Sequence, residues 1–181
     1  MPIFEITQNK YDVILDLRYG STNNFLNQQV YVNSLCFLHK DTLSNFEKAI
    51  HSAAQQGFRL KIFDAFRPQI AQEKLWSICP NPTYVADPSK GSNHTRGIAV
   101  DLTLIDENKN ELDMGTPFDD FTPASHHGAD LSAHIQANRD LLLNIMLTSG
   151  WDHYPFEWWH YQLPNTNSYP LLKDCYGMMT K

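Results

Sequence analysis

Hydrophobic positions along this chain recur with two different periods. In DTLSNFEKAIHSAAQQ, residues 41–56, Leu43, Phe46, Ile50, Ala53 and Ala54 fall near one face of a helix. Asp41 or Ser44 suits its start, Ser44 with Glu47 fits a capping box, and Gly57 ends it. RLKIFDAF, residues 59–66, reads as a short strand, and Pro68 suits the first turn of a helix that runs to about Ile78. Pro80, Pro82, Pro88 and Gly91 make residues 79–93 a long loop, of a kind that is often functional rather than idle. IAVDLTLI, residues 98–105, is a strand, followed by a turn at Asp106–Asn110. MGTPFDDFTPASHHGAD is irregular. A helix over about 131–149 carries Leu131, Ile135, Leu142 and Ile145 on its apolar side, with Gly150 at its end. FEWWHYQL, residues 156–163, is a closing aromatic strand. Helices and strands mix without βαβ alternation, which predicts an α+β fold whose mainly antiparallel sheet is flanked by helices.

With 181 residues, the chain is expected to form a single domain over 1–181 with a substantial core. The net charge is −6 and the basic residues are scattered, which argues against nucleic acid or an anionic membrane as partner. No segment approaches the ~18 apolar residues of a membrane span, and the N-terminus does not read as a signal peptide. Cys36, Cys79 and Cys175 are far apart, odd in number and form no CxxC pair. They read as reduced, mostly buried thiols of a cytoplasmic protein, with a single disulfide as the alternative. Nothing in the pattern sets an oligomeric state.

Five residues change this picture: Arg67, His94, Asp101, Glu157 and His160. Alternation along the strand puts Ile98, Val100, Leu102 and Leu104 on one face and Asp101 on the other. Either that face meets solvent or the carboxylate has a buried partner, because a lone buried charge is very costly. His94 precedes Asp101 by seven positions, an odd offset that sets the two apart in a regular strand. They converge only if the chain bends, and Gly97 supplies the freedom. Glu157 and His160 are likewise three apart. His160 is expected in the strand and Glu157 at its bent entrance after Pro155, or else the glutamate is incidental to an aromatic sheet. Catalytic zinc gives these residue types a common reason. Imidazole and carboxylate ligands suit the metal, and three of them leave a fourth position for water. A nearby glutamate can take a proton from that water, and a guanidinium can hold the developing oxyanion.

SxHxxGxAxD at 92–101 and ExWH at 157–160 resemble the zinc D-alanyl-D-alanine dipeptidases of the VanX type, in peptidase family M15. FDAFRP (63–68), SNHTRGIAVDLTL (92–104), MGTPFD (114–119), SHH (125–127) and EWWHYQL (157–163) are similar to that family's blocks, in its order, and YGSTNNF (19–25) more loosely. The resemblance implies a hedgehog/DD-peptidase-like fold with one zinc ion at the sheet, held by His94, Asp101 and His160. It implies Glu157 as general base and proton donor, and Arg67 as stabiliser of the tetrahedral intermediate. Asp119 is implied as anchor for the substrate ammonium, with a turn carboxylate as its plain alternative. Ser92 either bonds the substrate or shapes the loop, and Tyr19 borders the pocket. His126 and His127 are expected to divide between a supporting role near the metal and a place on the loop surface. Trp158 and Trp159 are expected to pack the sheet and shelter the site.

The activity implied is zinc-dependent hydrolysis of D-alanyl-D-alanine to two D-alanines. One rival is a zinc carboxypeptidase or endopeptidase acting on peptidoglycan peptides, which needs an open groove. The other is a zinc-binding module without catalysis, which needs neither Glu157 nor Arg67.

Overall fold

Seven short strands and three helices make up the computed structural model, which describes residues 2–173 and 176–179. In chain order they are β1 (Ile3–Glu5), β2 (Val13–Leu15), β3 (Phe37–His39), α1 (Leu43–Gln55), β4 (Arg59–Asp64), α2 (Gln69–Ile78), β5 (Ala99–Ile105), α3 (Ala133–Thr148), β6 (Asp152–Tyr154) and β7 (Glu157–Gln162). Five strands form one sheet in the order β2–β4–β5–β7–β6. Only the β2–β4 pair is parallel; the other three pairings are antiparallel. A separate antiparallel pair joins β1 to β3. The α+β expectation and the mainly antiparallel sheet are borne out.

The sheet's two faces have different work. Val100, Leu102 and Leu104 of β5 join Leu60 and Ile62 of β4 in a core with Phe46, Ala49 and Ala53 of α1 and Leu142, Ile145 and Met146 of α3. Apart from the two alanines, each such side chain contributes roughly 1.5–3 kcal/mol on burial. A second cluster, with Tyr19, Tyr31, Phe66, Ala71, Leu75 and Val85, packs α2 and two long loops. All seven residues of β5 are buried, so the face bearing Asp101 is not a solvent face. Solvent exposure of that carboxylate is thereby excluded.

Several boundaries differ from expectation for local reasons. Neither Asp41 nor Ser44 caps α1 through its side chain. A 3-10 turn at Lys40–Thr42 leads in, and the His39 ring accepts the Asp41 N–H at 3.2 Å. Ala54 is exposed and Ala49 takes its place on the buried face. Pro68 is extended (ψ 147°) and sits just before α2, not in its first turn. β1, β2, β3 and β6 are three residues each, too short to show a period. Cys36 is buried and Cys79 half-buried, both as unpaired thiols; Cys175 lies outside the described residues.

Arg139 of α3 fixes the irregular segment after β5. Its guanidinium donates to the carbonyls of Met114, Ala124 and His126 at 2.8–3.0 Å. Gly97 closes the turn before β5. It has φ +72°, and its N–H donates to the His94 carbonyl at 2.9 Å. A Cβ there would lie 3.1 Å from Ile3 Cγ2 and 3.3 Å from Leu172 Cδ1. Gly97→Ala therefore combines a left-handed backbone with crowding and should cost about 1–2 kcal/mol. A thermal melt showing no loss would mean the turn can relax into another shape.

Candidate active site

Pairing register brings the central side chains together. β5 and β7 set Asp101 directly across from His160, with His160 Nδ1 3.1 Å from Asp101 Oδ1. His94 arrives from the preceding turn, where Arg96 N–H donates to Ser92 O and Ile98 N–H to Asn93 O. Its Nε2 is 3.1 Å from His160 Nδ1 and 3.3 Å from Asp101 Oδ2. The bend at Gly97 thus resolves the odd offset between His94 and Asp101.

Each ring has an acceptor at the nitrogen that faces away from the other ring. His94 Nδ1 donates to the Ala65 carbonyl at 2.7 Å, which leaves Nε2 with a lone pair. His160 Nε2 faces Gln162 Oε1 and its Nδ1 faces Asp101 Oδ1, each at 3.1 Å; with the ring proton on Nε2, Nδ1 keeps a lone pair. Asn93 Nδ2 donates to the same Gln162 oxygen at 2.6 Å and so orients that amide. Two imidazole lone pairs and a carboxylate therefore face one point. Bonds of ~2.0–2.1 Å to a tetrahedral zinc would set N and O ligands roughly 3.3 Å apart. The ring nitrogens are 3.1 Å apart, Asp101 Oδ1 is 3.1 Å from His160 Nδ1 and Asp101 Oδ2 is 3.3 Å from His94 Nε2, so the two rings and one carboxylate oxygen could hold a divalent cation. Among the described residues it is the one group of three or more such ligands.

Carboxylates and one guanidinium surround this triangle. A register shift in the β4–β5 pairing, between Ile62 and Asp64, sets Asp64 opposite Asp101. Asp64 accepts from Arg67 Nε at 2.9 Å and from the Tyr31 hydroxyl at 2.8 Å. Arg67 Nη1 donates to Gln72 Oε1 at 2.9 Å, Nη2 lies 3.7 Å from Asp101 Oδ2, and the guanidinium sits 5.0 Å over the Tyr19 ring. Burial works against charge on Arg67, but Asp64 and the other anions around it overcome this and hold its proton more firmly than usual.

Glu157 opens β7. The β6–β7 register slips between His153 and Tyr154, so Tyr154 pairs with Glu157 while His153 pairs with Tyr161. That slip lets residues three apart share one side, and Glu157 Oε2 lies 3.9 Å from His160 Nδ1. Burial, then repulsion from Asp101 and Asp119, pushes the Glu157 carboxyl well above the ordinary range, against the pull of Arg67. Asp119 is half-buried as a residue, with φ +62°, and its carboxyl faces inward to accept the Tyr19 hydroxyl at 3.0 Å. Burial and the Asp101 charge push it up to about 8. A cation among these groups would draw both carboxyls back down.

Ser92 is buried, lines the cavity and accepts the His94 N–H through Oγ at 3.2 Å, so it shapes the loop. The cavity holds about 140 Å³. Residues 82–86 line one side of it and are tied down by side-chain bonds. Tyr154 OH donates to Thr83 O, and Tyr84 OH pairs with His126 Nε2, both at 2.9 Å. Tyr84 also stacks on Phe121.

The structure brings all eight expected residues to one cavity: Tyr19, Arg67, Ser92, His94, Asp101, Asp119, Glu157 and His160. It corrects the division expected of two histidines. Both are half-buried: His126 ties down Tyr84, and His127 packs edge-on against His153, so neither is a loop-surface residue. Trp159 lines the cavity, while Trp158 donates to Thr116 Oγ1 at 2.8 Å. Sequence reasoning missed Asp64, Gln72, Gln162 and Tyr84. Asp64 alone carried a signal, a carboxylate in an apolar run like that of Asp101.

A family model described as D-ala-D-ala dipeptidase, of the Peptidase M15 group, matches residues 3–178. The chain is 44% identical over 164 residues to the D-alanyl-D-alanine dipeptidase of Escherichia coli K12, covering 90% of this chain and 85% of the relative. It is 34% identical over 180 residues to the D-alanyl-D-alanine dipeptidase of Enterococcus faecium, covering 85% and 89%. The Enterococcus faecalis protein of the same name is 33% identical over 171 residues, covering 82% and 84%.

Asp119 ties stability to pH. Its carboxyl titrates near 8 when folded, against ~3.9 when unfolded. Below pH 4 it is protonated in both states and costs nothing. Between pH 4 and 8 the unfolded chain gives up the proton first, so folding loses stability as pH rises. In metal-stripped protein, Asp119→Asn should raise Tm at pH 8, by roughly 2–4 °C per kcal/mol relieved, and leave it unchanged at pH 4. An equal effect at both pH values would assign it to something other than this carboxyl.

Proposed function

The chain belongs to the D-Ala-D-Ala dipeptidase family of the M15 metallopeptidases, and from that premise we propose that it hydrolyses D-alanyl-D-alanine to two D-alanines at the His94–Asp101–His160 site. The observation that carries this reading is the convergence of Glu157 and Arg67 on that ligand triangle inside a cavity of about 140 Å³.

His94 Nε2, His160 Nδ1 and an Asp101 oxygen would hold one zinc ion. Zinc bound there supplies Lewis acidity, lowering the pKa of water and polarising a carbonyl. Glu157 takes the proton of the attacking water as the new C–O bond forms. It then gives that proton to the amide nitrogen as the C–N bond breaks, releasing the second D-alanine as an amine. A carboxyl lifted by burial and by neighbouring anions suits both halves of that cycle. Arg67, immobilised by Asp64, meets the oxyanion that develops on the carbonyl. Asp119 receives the substrate ammonium, which replaces the proton that burial otherwise keeps there, and Tyr19 fixes the carboxylate's direction.

The size of the cavity supports a free dipeptide over a cell-wall peptide. It is small beside the roughly 300–1,000 Å³ of common ligand sites, and residues 82–86 are tied across it. The decisive assay compares D-Ala-D-Ala, L-Ala-L-Ala and a muropeptide before and after chelation and zinc return. Turnover of D-Ala-D-Ala alone, lost with the chelator and restored by zinc, is expected; muropeptide cleavage would point to the longer-peptide enzymes. Glu157→Ala should bind zinc yet lose about 10²–10⁴ of kcat, and unchanged turnover would remove Glu157 from the mechanism. Gln162→Met, which frees the His160 ring, should weaken zinc binding roughly 10–100-fold in a competition titration.

A further inference from the structure

Gln72 is fully buried in the first turns of α2, between the apolar Ala71 and Leu75. A glutamine at that depth is costly unless both ends of its amide are bonded. Both are: Oε1 accepts from Arg67 Nη1 at 2.9 Å, and Nε2 donates to the Ala86 carbonyl at 2.7 Å. Arginine only donates and a carbonyl only accepts, so the amide has one orientation. Ala86 belongs to the 82–86 segment that lines the cavity. One turn earlier on the same helix, Gln69 Nε2 donates to the Pro88 carbonyl at 3.1 Å. The start of α2 thus grips the loop at two carbonyls and the guanidinium at one nitrogen.

The guanidinium has two fixed edges. Asp64 holds Nε from β4 and Gln72 holds Nη1 from α2, which directs Nη2 toward Asp101. Asp64 alone would leave the group free to tilt about the Nε contact. We propose that Gln72 is a positioning residue that couples the 82–86 segment to Arg67, so that the guanidinium meets the oxyanion only while that segment is seated. This rests on the role assigned to Arg67 above.

The test is a double-mutant cycle on zinc-loaded enzyme with D-Ala-D-Ala, using Gln72→Met, Arg67→Ala and both together. Gln72→Met keeps the length of the side chain and loses both bonds. It should lower kcat roughly ten- to a hundredfold, the worth of a hydrogen bond to a charged group, with KM nearly unchanged. Binding of a phosphinate analogue of the dipeptide, which mimics the tetrahedral stage, should weaken by the same factor. In the Arg67→Ala background Gln72→Met should do nothing further. Equal losses in both backgrounds, or a change in KM alone, would overturn the coupling. If Arg67→Ala loses kcat while Gln72→Met keeps it, the coupling alone fails. If Arg67→Ala keeps full kcat, the reading of Arg67 fails and takes the coupling with it. Should Gln72→Met not fold, Gln72→Asn is one methylene too short to span both partners; the same kcat loss is expected, and wild-type kcat would overturn the proposal.

Discussion

One guanidinium shares its surroundings with four carboxylates. Asp101, Glu157 and Asp119 line the same small cavity, Asp64 is bonded to Arg67, and Arg67 is the cation set among them. Anions crowded out of water must find cations, donors or protons. Asp64 has Arg67 and Tyr31, and Asp101 has two imidazoles. Glu157 and Asp119 have less, and burial with the neighbouring anions drives their carboxyls upward; burial raises Asp64 too, against the pull of Arg67. In the proposed reaction that debt becomes chemistry. A divalent cation and a substrate ammonium are the species this set of charges attracts, and a carboxyl ready to hold a proton is what amide cleavage needs.

The sheet creates this crowding through its register. Asp64, Asp101 and His160 lie side by side across β4, β5 and β7, and each junction depends on a defined pairing. Two irregularities do the rest. The shift in β4 sets Asp64 against Asp101, and the slip between β6 and β7 brings Glu157 around to the side of His160. The opposite face of β5 is an ordinary apolar core under α1 and α3, which fixes the strand that carries the site.

Much of this was legible in the sequence, and what was not has a physical reason. α1, α3 and β5 announce themselves by period, α2 by Pro68, β4 and β7 by apolar and aromatic runs, and Gly97 by the offset it has to resolve. The three-residue strands do not, because pairing partners rather than propensity create them. His94, Asp101, Glu157 and His160 stood out as polar residues where an apolar pattern or a bend needed explaining. Gln72 and Gln162 did not, because a buried amide looks like any surface glutamine until its partners are known. The seat of Arg139 is equally silent, since its three acceptors are backbone carbonyls.

Order along the chain also has a consequence in time. The chain order places β4, α2 and β5 before β7, so Asp64 and Asp101 are both synthesised before His160. Like charges facing each other across strands oppose the pairing of β4 with β5, and Tyr31, Arg67 and His94 are at hand to ease it. The final strand then completes both the ligand triangle and the general base within four residues, Glu157 to His160. A nascent or truncated chain that ends before this strand carries the strain of the site with none of its use.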